Sequence, residues 1–282
     1  MTHTLLLRLE GILQAWGTHS RFADRDSASH PTKSGVIGLL AAADGHDRDE
    51  HRTADDDFLP LSTLANLRFG VRADRPGTLV RDFHTAGGGT YPVRPRDIIT
   101  DPYRAQHATT APVPATSRAF TRRAGETLAD WYGAPKNIAP DRDTGALTAG
   151  NNRRHPLVAA HWYLADAAFL AAVQSEDTAL LKRLARRLNA PHRLLWLGRK
   201  NCVPHHDLHH GLHRGDIETV LATIPLLPRS PHPTCTAWIE APHHTPNATP
   251  VNDQPLSYAS RTRSHAPRFE TRHTLTPPGA PA

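Results

Sequence analysis

Thr32, Lys33, Ser34 and Gly35 stand in a row just before an apolar run, placing capping hydroxyls, a cation and a flexible residue at the start of a helix. Such a terminus favours an anion, because its unpaired N–H groups and the helix dipole both present positive charge. A phosphate seat is one reading of the quartet. A plain capping sequence is the other, and it explains Thr32 or Ser34 without using Lys33. A second set lies in residues 11–17 (GILQAWG), where Gln14 and Gly17 suit hydrogen bonds or close backbone approach and Trp16 offers an aromatic plane. A base stacked on an exposed indole is worth roughly 1–3 kcal/mol; the competing reading packs Trp16 in the core beneath the first helix. In residues 80–85 (VRDFHT), Arg81 and His84 precede Gly87, Gly88 and Gly89, a flexible exit that can approach a sugar–phosphate chain with Arg81 as counter-charge. Arg199 and Lys200 follow Gly198 in residues 197–202 (LGRKNC) and suit phosphate contacts, although exposed cation pairs are common without function.

Other chemistries find less support. His205 with His209, and His206 with His210, have the four-residue spacing that shares a helix face. Pro204 and Gly211 oppose a helix there and no third ligand is assured, so neither a metal nor a cofactor is assigned. Phosphate-loop, zinc-helix, nucleophile-elbow and dinucleotide fingerprints are all absent from the sequence. The two cysteines, Cys202 and Cys235, lie far apart, which gives neither a zinc ribbon nor a disulfide framework and fits a reducing cytoplasm. Residues 1–11 hold an apolar run too short to span a bilayer and lack the order of a secretory signal, so a soluble, cytoplasmic protein is expected. The formal net charge of +6 favours a polyanionic partner, while the 20 histidines add little charge at neutral pH.

The elements that must position these residues follow from periodicity. Residues 4–10 (TLLLRLE) read as a buried strand ending at Gly11, and residues 32–43 as a helix. Residues 44–57 are dense in charge and read as a solvated helix end and loop. A second strand is expected over residues 64–73, with Leu67, Phe69 and Val71 on one face, and a third over 79–85. Residues 86–156 are rich in Gly, Pro, Arg and Thr without a regular apolar period, a long excursion from the core. Regular structure returns at 157–173. Residues 177–188 form an amphipathic helix, apolar at Leu180, Leu181, Leu184 and Leu188, with Lys182, Arg183, Arg186 and Arg187 as a basic outer surface. A loop over 194–213, a short helix over 216–224, a proline-rich stretch and a last strand over 269–275 complete the chain. This order is compatible with an α+β, ferredoxin-like core interrupted by an insertion.

The blocks LLLRLEGILQAWG (5–17), PTKSGVIGLLAAA (31–43), VRDFHT (80–85), YLADAAF (163–169), LGRKNC (197–202) and RFETR (268–272) occur in one order. In these the chain resembles the CasD family of subunits of the type I-E CRISPR surveillance complex, Cascade. The resemblance implies a modified RNA-recognition-motif or ferredoxin-like palm, residues 1–85 and 157–282 with a C-terminal extension, and an inserted thumb over 86–156. The chain departs from the shorter family pattern between about residues 101 and 155 and in its Pro- and His-rich C-terminal region.

The resemblance further implies a noncatalytic subunit for antiviral defence that holds the 5′ handle of CRISPR RNA and caps CasC-type backbone subunits. It would touch a CasA-type large subunit and meet target DNA through the complex, while CasE cuts the RNA. RNA-binding residues are then expected at Gln14, Trp16, Gly17, Lys33, Ser34, Arg81, His84, Arg199 and Lys200. The alternative is a metal-independent repeat endoribonuclease like the type I-C relatives, with His84 activating a ribose 2′-OH and Lys33 or Arg81 stabilising the phosphorane. A third reading is a scaffold whose basic surface meets acidic protein without RNA.

Overall fold

A computed structural model describes residues 1–17, 20–21, 24–46, 57–86, 139–140, 147–148, 157–259 and 262–279. Strand β1 (His3–Gln14) carries the first apolar run and continues past Gly11 instead of turning there. The glycine serves a close approach: a Cβ on it would lie 2.7 Å from the Val203 carbonyl oxygen, so only glycine lets that loop lie on the strand. After the short strands β2 (Ser20–Arg21) and β3 (Asp24–Arg25) comes helix α1 (Lys33–Asp44). Thr32 caps it by accepting from the Gly35 N–H, and Gly45, at φ 100°, ends it in the left-handed conformation that glycine adopts without strain. The next expected strand begins late, since helix α2 (Leu61–Ala65) takes its first residues before β4 (Arg68–Arg75).

Strand β5 (Thr78–Ala86) is followed, among the described residues, by β6 (Ala139–Pro140), which pairs with β7 (Leu147–Thr148). The chain returns on β8 (Leu157–Ser175), a 19-residue strand, then helix α3 (Thr178–Asn189), capped by Asp177. Strand β9 (His209–Arg214) lies in the stretch expected to be all loop, and its pairing with β1 places His209, His210 and His213 on a strand. Helix α4 (Ile217–Thr223) is followed by β10 (Cys235–Ala241), β11 (Thr249–Ser257) and β12 (Ser264–Leu275). The chain divides into one unit of Met1–Phe83 with Ala160–Ala282 and a second of His84–Ala159.

The main sheet runs β11-β12-β10-β4-β8-β1-β9, with β3 and β5 paired to β8 off this path. Every neighbouring pair along the path is antiparallel. Edge strand β11 carries Pro250 and Pro255 and shifts register twice against β12. Helices cover both faces. Leu5, Leu7, Leu9, Phe69, Val71, Phe169 and Val173 pack with α1 and α3, while Leu6, Leu170 and Ala172 pack with Ile217, Val220 and Leu221 of α4. Two-sided burial is why β1 and β8 read as continuous apolar runs and not as an alternation.

The charged stretch after α1 needs one correction. Asp44 is 2% exposed, not solvated. It accepts from the Leu59 N–H at 2.6 Å and from Arg183 Nε at 2.9 Å, with Arg187 Nε at 3.4 Å. A carboxylate at a helix C-terminus opposes the dipole, and these cations offset that cost. Two of the expected outward cations of α3 therefore face the fold, leaving Lys182 and Arg186 exposed. Residues 47–56 lie outside the described residues. Among the described residues no helix is long and apolar enough to cross a membrane, and no cluster of three or more His, Cys, Asp or Glu is arranged to hold a metal.

Glu10, 3% exposed on the α4 face, is the acid-sensitive point of the sheet. It accepts from Arg8 Nε and Arg75 Nη2, each at 2.9 Å, and from Arg229 Nη2 at 3.2 Å. Burial alone raises the carboxyl, but the donors from Arg75 and Arg8 and the Arg8 charge override it and hold the pKa at about 2. A depressed folded-state pKa means stability that is complete above the ordinary value of 4.5 and lost as pH falls through about 2. Urea midpoints measured against pH are expected to fall across that window. Glu10→Gln is expected to flatten the profile there; an unchanged profile would assign the acid response to other carboxylates.

Candidate nucleic-acid interface

Gln14 and Trp16 leave β1 as a locked pair. The Trp16 indole N–H donates to Gln14 Oε1 at 3.1 Å, and Gln14 Nε2 donates to the carbonyls of Leu9 and Ala167, both at 2.9 Å. Trp16 is 1% exposed beneath α1, where a Cβ on Gly35 would come within 2.8 Å of its ring. Of the two readings for Trp16, the structure takes the core one: it is not an exposed stacking face, and Gln14 has spent its amide on the backbone. Gly17, next along, is exposed.

The helix N-terminus does receive an anion, and that anion is the chain's own. Asp253 of β11 accepts from the Lys33 backbone N–H at 2.6 Å, and Lys33 Nζ donates to Glu240 of β10 at 2.8 and 3.1 Å. Burial pulls the Lys33 pKa down, and Glu240 opposes that shift. Arg268 donates to both oxygens of Asp253, at 2.6 and 3.0 Å, and reaches Glu270 at 2.8 Å. Lys33 thus binds α1 to the β10–β12 end of the sheet and does not project its ammonium to solvent. Ser34 is half-buried and its carbonyl accepts from the Tyr258 hydroxyl at 2.5 Å.

Arg199 is also committed. Gly198, at φ 96°, turns the chain tightly against Ala15, and Arg199 then donates to the carbonyls of Trp162 (3.0 Å), Arg25 (2.9 Å) and Asp26 (3.1 Å). Its guanidinium lies 4.7 Å from the centre of the Tyr163 ring. This one side chain ties the loop before α1 to β8, and it leaves Lys200 exposed beside it. Arg81 is exposed on β5, 6.0 Å from the Trp162 ring centre, and His84, in the second unit, is exposed as well. The residues named from sequence thus divide into an internal frame of Gln14, Trp16, Lys33 and Arg199 and an outward set of Gly17, Arg81, His84 and Lys200, with Ser34 between. Arg272, which closes the RFETR block but was not named as a contact, is exposed on β12 in register with Trp238 of β10. A strand-period pattern in residues 264–275 was the available signal.

The family described as CRISPR-associated protein (Cas_Cas5) matches residues 4–270. A curated relative, the CRISPR system Cascade subunit CasD of Escherichia coli (strain K12), is 36% identical over 97 residues, 31% of this chain and 40% of its own length. The match therefore spans less than half of that relative. Two solved structures are similar across nearly the whole chain. One, a "Crystal structure of Cas protein", shares 30% identity at a TM-score of 0.61 and covers 99% of this chain and 100% of its own. The other, from a "CRISPR RNA-guided surveillance complex", shares 28% identity at a TM-score of 0.61 and covers 99% of this chain and 93% of its own. With the family match running from the first residues of β1 into β12, the chain belongs to the CRISPR-associated Cas5 family.

Proposed function

We propose that this chain is a noncatalytic RNA-binding subunit of a type I-E Cascade complex, holding the 5′ handle of CRISPR RNA and capping the backbone of the assembly in antiviral defence. The observation that carries the reading is similarity over 99% of the chain to a component of a CRISPR RNA-guided surveillance complex. Its partners are CRISPR RNA, CasC-type backbone subunits, a CasA-type large subunit and, through the complex, target DNA. The strand order β9-β1-β8-β4, with α1 and α3 as crossovers, supports a ferredoxin-like, modified RNA-recognition-motif palm over residues 1–85 and 157–282. Residues 86–156 are then the inserted thumb.

The outward cations Arg81 and Lys200, with Gly17, are the proposed contacts to the RNA backbone in the first unit, and His84 is a further proposed contact in the second. The endoribonuclease reading has weaker support, because of its two candidate cations Lys33 is held by Glu240, which leaves only Arg81 to steady a phosphorane. Recovering the chain with its complex and sequencing the attached nucleic acid tests the proposal: repeat-derived RNA with a uniform 5′ end is expected, and its absence overturns it. Arg81→Ala with Lys200→Ala is expected to reduce the salt slope of RNA binding by roughly one unit per lost phosphate contact. An unchanged slope removes both residues from the interface.

A further inference from the structure

A cleft of about 370 Å³ opens on the α1 side of the sheet, lined by Ser29, Ala73, Thr236, Trp238, Arg272 and Thr274 together with Pro76 and Pro231. Its floor follows from strand register. Trp238 stands opposite Arg272 and Thr236 opposite Thr274 in the β10–β12 ladder, while Thr236 stands opposite Ala73 in the β10–β4 ladder. Residues two apart on a strand share a face, so an indole, a guanidinium and two hydroxyls converge on one side. The cleft volume falls within the roughly 300–1,000 Å³ of small-ligand sites.

Its polar groups differ from the structural ion pairs around it. Arg272 is exposed and, among the described residues, has no hydrogen-bond or ion-pair partner, whereas Arg268, four residues earlier, is buried on Asp253 and Glu270. The one carboxylate lining the cleft, Asp74, is fully buried and engaged by Arg72 at 2.6 and 2.7 Å, so Arg272 sets the local charge. Trp238 is half-buried and held in orientation by His30, which covers one indole face at 4.1 Å with the rings 8° apart, so a base would stack on the face opposite His30. Burial, followed by the charge of Arg268, lowers His30 to about 4, so it is a neutral plate at pH 7 and its 3.7 Å approach to Glu270 is not an ion pair there.

We propose that this cleft is a nucleotide subsite for single-stranded RNA, taking one unstacked base against Trp238 with its phosphate on Arg272 and its polar edge on Thr236 and Thr274. A preorganised aromatic wall beside a free guanidinium matches the two faces of a ribonucleotide, and threonine hydroxyls both donate and accept to a base edge. The assignment rests on the RNA-binding reading above and places a base contact on β10 and β12, away from the residues named from sequence.

The test uses the purified full chain with adenosine or uridine 5′-monophosphate, following the indole N–H resonances of its five tryptophans, with Trp238 assigned through Trp238→Phe. Both nucleotides are expected to shift the Trp238 resonance, and ribose 5-phosphate to leave it nearly in place. Arg272→Gln is expected to weaken the titration by about tenfold or more, the scale of losing a hydrogen bond to a charged group. Thr274→Phe, which fills the cleft from an exposed position, is expected to abolish it. No shift at Trp238, or an equal shift with ribose 5-phosphate, overturns the subsite. If Arg272→Gln and Thr274→Phe leave the titration unchanged but reduce recovery of the assembled complex, the cleft is a protein-docking surface and the assignment fails. Retention of RNA by the complex separates the two levels: a loss confined to the Arg81 and Lys200 variants overturns only the subsite, and absence of RNA from the complex of the unaltered chain overturns RNA binding itself.

Discussion

Asp74→Ala is expected to lower the unfolding free energy by about 3–5 kcal/mol, the cost of leaving a buried cation without its partner. Arg72 and Asp74 are both fully buried on β4, joined by two hydrogen bonds of 2.6 and 2.7 Å. The guanidinium also donates to the carbonyls of Leu221, Ile224 and Pro225, which close the end of α4, and Asp74 accepts from the Leu227 N–H at 2.7 Å. The pair therefore pins α4 and the chain leaving it against the sheet. Chemical denaturation is the measurement, with the midpoint falling and the slope unchanged if only stability is affected. Joint replacement by Arg72→Met and Asp74→Leu is expected to cost less than Asp74→Ala alone, because no charge is then stranded. A loss under about 1 kcal/mol for Asp74→Ala would mean that Arg72 escapes to water.

The second large effect is expected at Gly198. Its φ of 96° disfavours any side chain, and a Cβ there would lie 1.7 Å from the Ala15 carbonyl oxygen, so the backbone itself must move. Gly198→Ala is expected to cost at least about 2–4 kcal/mol from left-handed strain and overpacking together. It should also loosen Arg199 from the carbonyls of Arg25 and Asp26, exposing the loop before α1. Amide exchange would report this as faster exchange at the Ala15 N–H, which donates to the Leu197 carbonyl at 3.0 Å. Wild-type stability and exchange in this variant would refute the contact.

The sequence showed the frame of the fold better than the chemistry of its residues. Strand β1, helix α1 with its Thr32 cap and helix α3 are legible because period and caps are local. Gly11 misled, since a glycine that ends a strand and one that admits a crossing loop look alike from its neighbours. Strand β10 has a readable alternation, with Cys235, Ala237 and Ile239 buried, but it is flanked by prolines that suggest a tail. Strand β11, TPVNDQPLS, has no apolar alternation at all. The role of Lys33 was illegible for a deeper reason. A cap that awaits an external anion and one filled by Asp253, 220 residues away, have the same local sequence, and only the fold brings the carboxylate there.

Strand β11 borders the sheet with two prolines and two register shifts. Proline has no N–H to offer, and a kinked border presents no continuous row of donors and acceptors. That side of the molecule is a terminus for β-pairing: another copy meeting it finds no template on which to add a strand. Neighbours on that side must therefore be recognised through side chains.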